Sequence, residues 1–372
     1  MKPPAIRSLT ALLAIGLAGC AGVSDPTGLF KSDPAPAGAA APAGAAALPA
    51  RAPATGPSAP TAVTEESYTL DGAIMPVARG QSRVETRADM QRTDSAVTFD
   101  NWLVRRFAGD GRSSNIVRID RKLVWNLEPA KKTYTECPLT GCAAAERKPG
   151  EEKRPDEPNK PAEPTCPVNL KANDLKVDAT GERRTINGFA TQRYAVTWIV
   201  EMQDGAGRVN SNRVAMDLWT TPETGAVRDV QAITSSFHRR HAAALTRSDN
   251  PIGQYLPPNV VGAMSSLFRN LDGKDQRTVA RFAAEMKKVQ GYPITTSLAW
   301  TTQGAVCTDS PSGASPQATA AGIGSMLGGM FGGRKPDGAP APLITFQHEV
   351  KSLAVAPVAD SVFVPPADYQ KK

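Results

Sequence analysis

The chain reads as an α+β protein with helices grouped on one face of an antiparallel sheet. Three observations predict this class. Apolar and polar residues alternate along many segments, helix-period segments fall in one block, and closing strands follow that block. The alternation begins with Val84, Thr86, Ala88 and Met90, read as one strand. Val97 and Phe99 then share one parity and Trp102 and Val104 the other, which predicts a bulge near Asp100–Asn101. Leu123, Trp125 and Leu127 follow on one parity. Tyr194, Val196, Trp198, Val200 and Met202 make the longest run, and Val214, Met216 and Leu218 the next. Ile294, Leu298 and Trp300 precede a last strand carrying Phe346, His348 and Val350. Asn187-Gly188 and Asp204-Gly205 supply turns between strands.

The helical block starts after Pro257-Pro258-Asn259, where Val260, Met264, Leu267, Phe268 and Leu271 recur at helical spacing. Val279, Phe282, Met286 and Val289 predict a second helix ending at Gly291. Residues from about 235 to 245 suggest a third.

The N-terminus is read separately. Lys2 and Arg7 give a basic start, and Leu9 to Leu17 give an apolar run too short to span a bilayer. The run closes on Leu17-Ala18-Gly19-Cys20, which resembles the lipobox of bacterial lipoproteins. The resemblance implies removal of residues 1–19 and a diacylglycerol on the Cys20 sulfur, with further acylation, palmitate for example, on the new amine. An anchor of two or three chains gains about 0.8 kcal/mol per buried CH₂. Ala21, in place of an aspartate, favours the outer membrane, with the protein facing the periplasm.

Residues 20–65 are dominated by Ala, Pro and Gly and read as a lipid-anchored, semi-extended linker. Residues 66–372 then form one domain with two inserts. The insert at about 143–165 mixes charges with prolines, as disordered loops do. The insert at about 308–342 carries the Gly-rich run Gly322 to Gly333. It lacks the Lys-Ser or Lys-Thr of a phosphate loop and is too short to span a membrane.

Lys and Arg number 43 against 36 Asp and Glu, a formal charge of +7. Losing Lys2 and Arg7 leaves about +5. No basic block with interleaved aromatics stands out, so nucleic acid is not an expected partner. With Cys20 lipidated, Cys137, Cys142, Cys166 and Cys307 remain, an even number suited to an oxidising compartment. Three pairings exist. Turn-forming residues inside Cys137–Cys142 permit a local bridge, which would leave Cys166 for Cys307.

Chemistry-bearing patterns are few. His238 and His241 lie one helical turn apart without an acidic residue between them, which suits a solvated basic helix face better than a metal site. His348 alternates with Phe346 and Val350, as a half-buried, satisfied histidine does. There is no Gly-x-Ser-x-Gly elbow and no His-Glu-x-x-His, so the expectation is a non-enzymatic protein without metal or cofactor.

Asn115 to Trp125, read as a strand, leads into Leu127-Glu128-Pro129 and Lys132-Thr133-Tyr134-Thr135-Glu136. Gln290-Gly291-Tyr292-Pro293-Ile294 precedes a Thr-rich strand, and the chain closes with Asp360 to Tyr369. This succession resembles an uncharacterised family of bacterial envelope domains. More distantly it is similar to the LolA/LolB-type lipoprotein carriers. The resemblance implies a curved, unclosed β half-barrel with helices covering its concave face. It further implies a cavity for acyl chains, for which Trp125, Trp198, Met216 and Trp300 are the candidate lining; the same residues also suit a plain core beneath the helices. The expected function is a lipid-anchored envelope protein that binds a hydrophobic ligand or an acylated partner. The competing expectation is a structural or sensory module whose inserts contact other proteins.

Overall fold

The computed structural model describes residues 47–51, 53–73, 77–108, 111–142, 168–245, 284–307 and 342–372. The expected signal segment 1–19, Cys20, Cys166, both expected inserts apart from Pro342, and the helix expected after Pro258 lie outside them.

The dominant element is a single antiparallel sheet of twelve strands that does not close. The first half of the chain supplies β1 (Ser58–Asp71), β2 (Ala78–Thr86), β3 (Met90–Phe99), β4 (Arg112–Arg118), β5 (Leu123–Glu128) and β6 (Thr133–Pro138). The second half supplies β7 (Val168–Ile186), β8 (Phe189–Asp204), β9 (Val209–Thr221), β10 (Tyr292–Gln303), β11 (Ile344–Ala359) and the two-residue β12 (Gln370–Lys371). The spatial order is β12-β6-β5-β4-β3-β2-β1-β11-β10-β9-β8-β7, so β12 and β7 are the edges. Only β12, which lies parallel on β6, departs from antiparallel pairing. Two α-helices are described in full, α1 (Trp102–Ala108) after β3 and α2 (Gly225–Ala244) after β9, besides the end of a helix over 284–286 and a 3-10 turn at Asp360–Phe363.

Several expectations from alternation need correction. The single strand over Val84 to Met90 is a hairpin that turns at Arg87 to Asp89, with the Met90 carbonyl accepting from the Arg87 N–H at 2.8 Å. The segment Asn115 to Trp125 is likewise a hairpin, turning before Lys122 at φ 55°. No bulge continues the strand past Asp100. β3 ends at Phe99, and the Asn101 side chain accepts from the Val104 N–H to open α1. Trp102 is therefore 67 % exposed rather than part of a strand. The helix expected over 235–245 begins ten residues sooner, at Gly225. The helix expected to end at Gly291 is described from residue 284 and runs to Met286, and Gly291 has φ 88°. Both proposed turns form where expected. Asn187 and Gly188 take φ of 49° and 84°, the twist that a two-residue hairpin needs.

The fold also starts before residue 66. β1 opens at Ser58, and Arg51, inside the expected linker, is bound to the sheet. Composition hides this, because a single arginine among Ala and Pro carries the attachment.

Pairing register divides the side chains between two faces. On one face, Val196, Met216, Leu298, Phe346 and Leu70 stand opposite one another across five strands. The row continues through Ala78 to Phe99. Odd positions of β3 thus share this first face. Even positions of β3 point to the second face, and Arg92 there stands opposite Ile116, which stands opposite Trp125.

The sheet buries different faces in its two halves. Over β8–β11 the first face is buried, with Trp198, Met216, Leu298, Trp300 and Phe346 in the largest apolar cluster. Over β3–β6 the second face is buried. Ile116, Trp125 and Leu127 pack there beneath Val358, Val362 and Phe363. Three arginines hold this C-terminal segment down. Arg92 and Arg118 donate to the carbonyls of Val362 and Phe363 at 3.0 and 3.2 Å. Arg87 donates to the Val358 carbonyl and the Asp360 carboxylate and lies 4.8 Å above the Phe363 ring.

Cys137 and Cys142 are bonded, the local bridge that their turn permits. Cys307 is also disulfide-bonded, to a cysteine outside the described residues. Asp204 fixes the chain beside Cys307. Its buried carboxylate accepts from the N–H groups of Cys307, Ala206 and Arg208 at 2.9, 3.0 and 3.0 Å, and from the Arg208 guanidinium at 2.8 Å. Chiefly the Cys307 N–H, with Arg208 behind it, draws the Asp204 carboxyl down to about 2. A carboxyl lowered in the fold stabilises it above the ordinary carboxyl range and loses that contribution as pH falls toward 2. Asp204→Asn should therefore lower the urea midpoint at pH 7, and its gap from the parent should close between about pH 4 and 2. A gap of equal size across that range would refute this role.

Candidate apolar binding face

The first face over β8–β11 is the candidate site. Parallel rows cross it. The outer row runs Trp198, Val214, Trp300, Ile344, and the middle row Val196, Met216, Leu298, Phe346. All eight are buried. Such rows arise because strict period-two alternation on four neighbouring strands puts every apolar residue on one side. The two indoles are held at their polar edges. Trp198 Nε1 donates to Asn173 Oδ1 at 2.7 Å, and Trp300 Nε1 to Asn212 Oδ1 at 3.1 Å. The rings are thereby fixed in orientation on the apolar surface.

The inner row is different. It runs Tyr194, Leu218, Thr296, His348, Tyr68, Gly80. Gly80 is required here, since a Cβ would come within 2.3 Å of the Tyr68 ring. His348 stacks on Phe346 with ring centroids 6.3 Å apart and puts Nε2 3.3 Å from a Glu66 carboxylate oxygen. The expected half-buried, satisfied histidine is what the structure contains. Ser82 Oγ donates to the same Glu66 oxygen at 3.4 Å. Burial, with the charge of Glu66, pushes the Tyr292 phenol up, and burial alone raises that of Tyr68.

Beyond this row the face is closed by apolar packing. Val227 and Val230 of α2 meet Ala62, Ile294, Val350 and Leu353, with Ile186 and Phe189 from the tip of the β7–β8 hairpin packed against them. Within this hairpin β7 bulges between Ala179 and Arg183, which bends the strand there. Its tip is tied down by Asn187, which donates to Glu349 and to the Val350 carbonyl at 2.7 and 2.8 Å.

Trp198, Met216 and Trp300 thus belong to one surface, as the sequence suggested. Trp125 does not. It lies on the opposite face beneath the C-terminal segment, its indole donating to Glu136 at 2.9 Å. Parity within a strand cannot show this, because one strand does not reveal which face its neighbours bury. His238 is exposed and lies edge-on to Phe237, while His241 stacks on that ring. Among the described residues no group of three or more His, Cys, Asp or Glu is placed to hold a metal ion. No described helix is long and apolar enough to cross a membrane.

Sequence reasoning missed Glu66, Ser82 and Thr296. Thr296 did leave a signal, as the one hydroxyl in the alternation Ile294, Thr296, Leu298, Trp300. Glu66 did not, because it follows Glu65 in a polar stretch whose register only pairing with β11 defines.

No family model matches this chain, and neither a curated protein nor a solved structure does.

Proposed function

We propose that the protein is a lipid-anchored envelope lipoprotein, without enzymatic activity, that holds a hydrophobic ligand or the acyl chains of an acylated partner on the first face. On this reading the sheet is a half-barrel of the lipoprotein-carrier type, with helices covering its concave side. Cys20 carries the lipid, the Ala/Pro-rich segment is the tether, and the domain faces the periplasm from the outer membrane. Cys166 is the partner of Cys307. The observation that supports ligand binding is the ordered pair of apolar rows, Trp198 to Ile344 and Val196 to Phe346, on a sheet with open edges. The buried rows supply the apolar surroundings that acyl chains need.

The test uses the Cys20→Ala chain, otherwise full length. It should leave the membrane fraction, carry bound lipid visible by mass spectrometry after mild extraction, and take up a fluorescent fatty acid. Protein that stays in the membrane fraction would contradict the anchor. Protein with neither bound lipid nor uptake would contradict ligand binding.

A further inference from the structure

Trp102 stands apart from the other tryptophans of the chain. Trp125, Trp198, Trp219 and Trp300 are 8 % exposed or less, whereas Trp102 is 67 % exposed. Single exposed apolar side chains are ordinary on protein surfaces. Trp102 differs through its neighbours. Spacings of three and four residues put Arg105 and Arg106 on the same side of α1 as Trp102. Both arginines are exposed, while Val104, on the opposite side of the helix, is half-buried. The start of α1 is fixed, because the Arg105 N–H donates to the Asn101 carbonyl at 3.0 Å and the Val104 N–H to the Asn101 side chain at 3.3 Å.

The charge on this side is uncompensated. Neither Arg105 nor Arg106 has an ion pair among the described residues. No acidic residue occurs between Asp100 and Asp110, and Asp100 is itself held by Arg79 at 2.5 Å. One side of α1 thus presents an indole and two positive charges together.

We infer that the Trp102–Arg105–Arg106 side of α1 is a contact for an anionic phospholipid surface. The indole seats among the head groups, where its apolar body and polar N–H both find their medium, and the guanidiniums pair with phosphates. A protein partner fits less well. It would cover about 800 Å² on each side, whereas α1 offers a convex strip roughly 10 Å long. A lipid surface asks for no more than an aromatic anchor and cations. The contact needs neither the lipid on Cys20 nor a ligand on the apolar rows.

The Cys20→Ala chain is titrated with vesicles whose acyl chains carry bromine, made of phosphatidylcholine alone or of an equal mixture with phosphatidylglycerol. Bromine quenches an indole that reaches the lipid, and the other four indoles are buried. Tryptophan emission should fall on the mixed vesicles and far less on phosphatidylcholine alone. Trp102→Ala should abolish the fall. Arg105→Gln combined with Arg106→Gln should raise the lipid concentration at half-effect about 25-fold, about fivefold for each arginine, and high salt should act in the same direction. The three side chains are exposed, so the urea midpoint should stay that of the parent. Quenching of equal size on phosphatidylcholine, or quenching that the arginine variant leaves unchanged, would overturn an anionic surface as the partner. An absence of quenching on the mixed vesicles would overturn lipid contact altogether and leave this side of α1 to a protein.

Discussion

Replacing Asp94 with alanine should destabilise the fold by about 3–5 kcal/mol, among the largest losses expected of any single change in this chain. Asp94 and Glu85 lie on the second face with side chains 1 % exposed. Two carboxylates so placed are tolerable only with cations between them. Arg92 donates to Asp94 at 2.9 Å, while Arg51 bridges Glu85, at 2.7 Å, and Asp94. Losing Asp94 leaves buried Arg92 its Val362 carbonyl but removes the carboxylate it is paired with. Replacing both members, with Arg92→Met and Asp94→Leu, should recover most of the loss, because it strands no charge. Urea denaturation of the three variants checks this. A single-variant loss under about 1 kcal/mol would show that the network is not dry. Through Arg51 the segment ahead of β1 is bound to the second face, away from the apolar rows.

Phe363→Ala should cost about 3–5 kcal/mol as well, through a cavity under the C-terminal segment. Phe363 is fully buried, shares its cluster with Ile116, Trp125 and Leu127, and lies under the Arg87 guanidinium. The loss should be local in character. Hydrogen exchange should quicken in β4–β6, which this segment covers, before it quickens in β8–β10, whose core is on the other face. Equal acceleration in both halves would argue against two separately buried faces.

The strands of the second half were legible because each buries one face with strict alternation. Tyr194 to Met202, Val214 to Leu218 and Ile294 to Trp300 fall on strands with the expected side inward. The first half was harder to read for a definite reason. Its buried face carries Glu85, Arg92, Asp94 and Arg118, so hydropathy marks the wrong residues as exposed. That error merged two hairpins into single strands and gave Trp125 to the wrong surface. The inner row escaped notice for a related reason, since a threonine and a glutamate become one polar row only when register sets them beside His348.

The sequence by itself determined the sheet class, the two glycine turns, the even set of cysteines behind Cys20 and the shared surface of Trp198, Met216 and Trp300. These follow from local periodicity and residue chemistry, which need no knowledge of distant partners. The tertiary structure alone decided which face each half buries, the attachment through Arg51, the cover over Trp125 and the polar row at Thr296. Each of these depends on contacts between residues far apart in the chain. Cross-strand register, not the order of residues, selects those contacts.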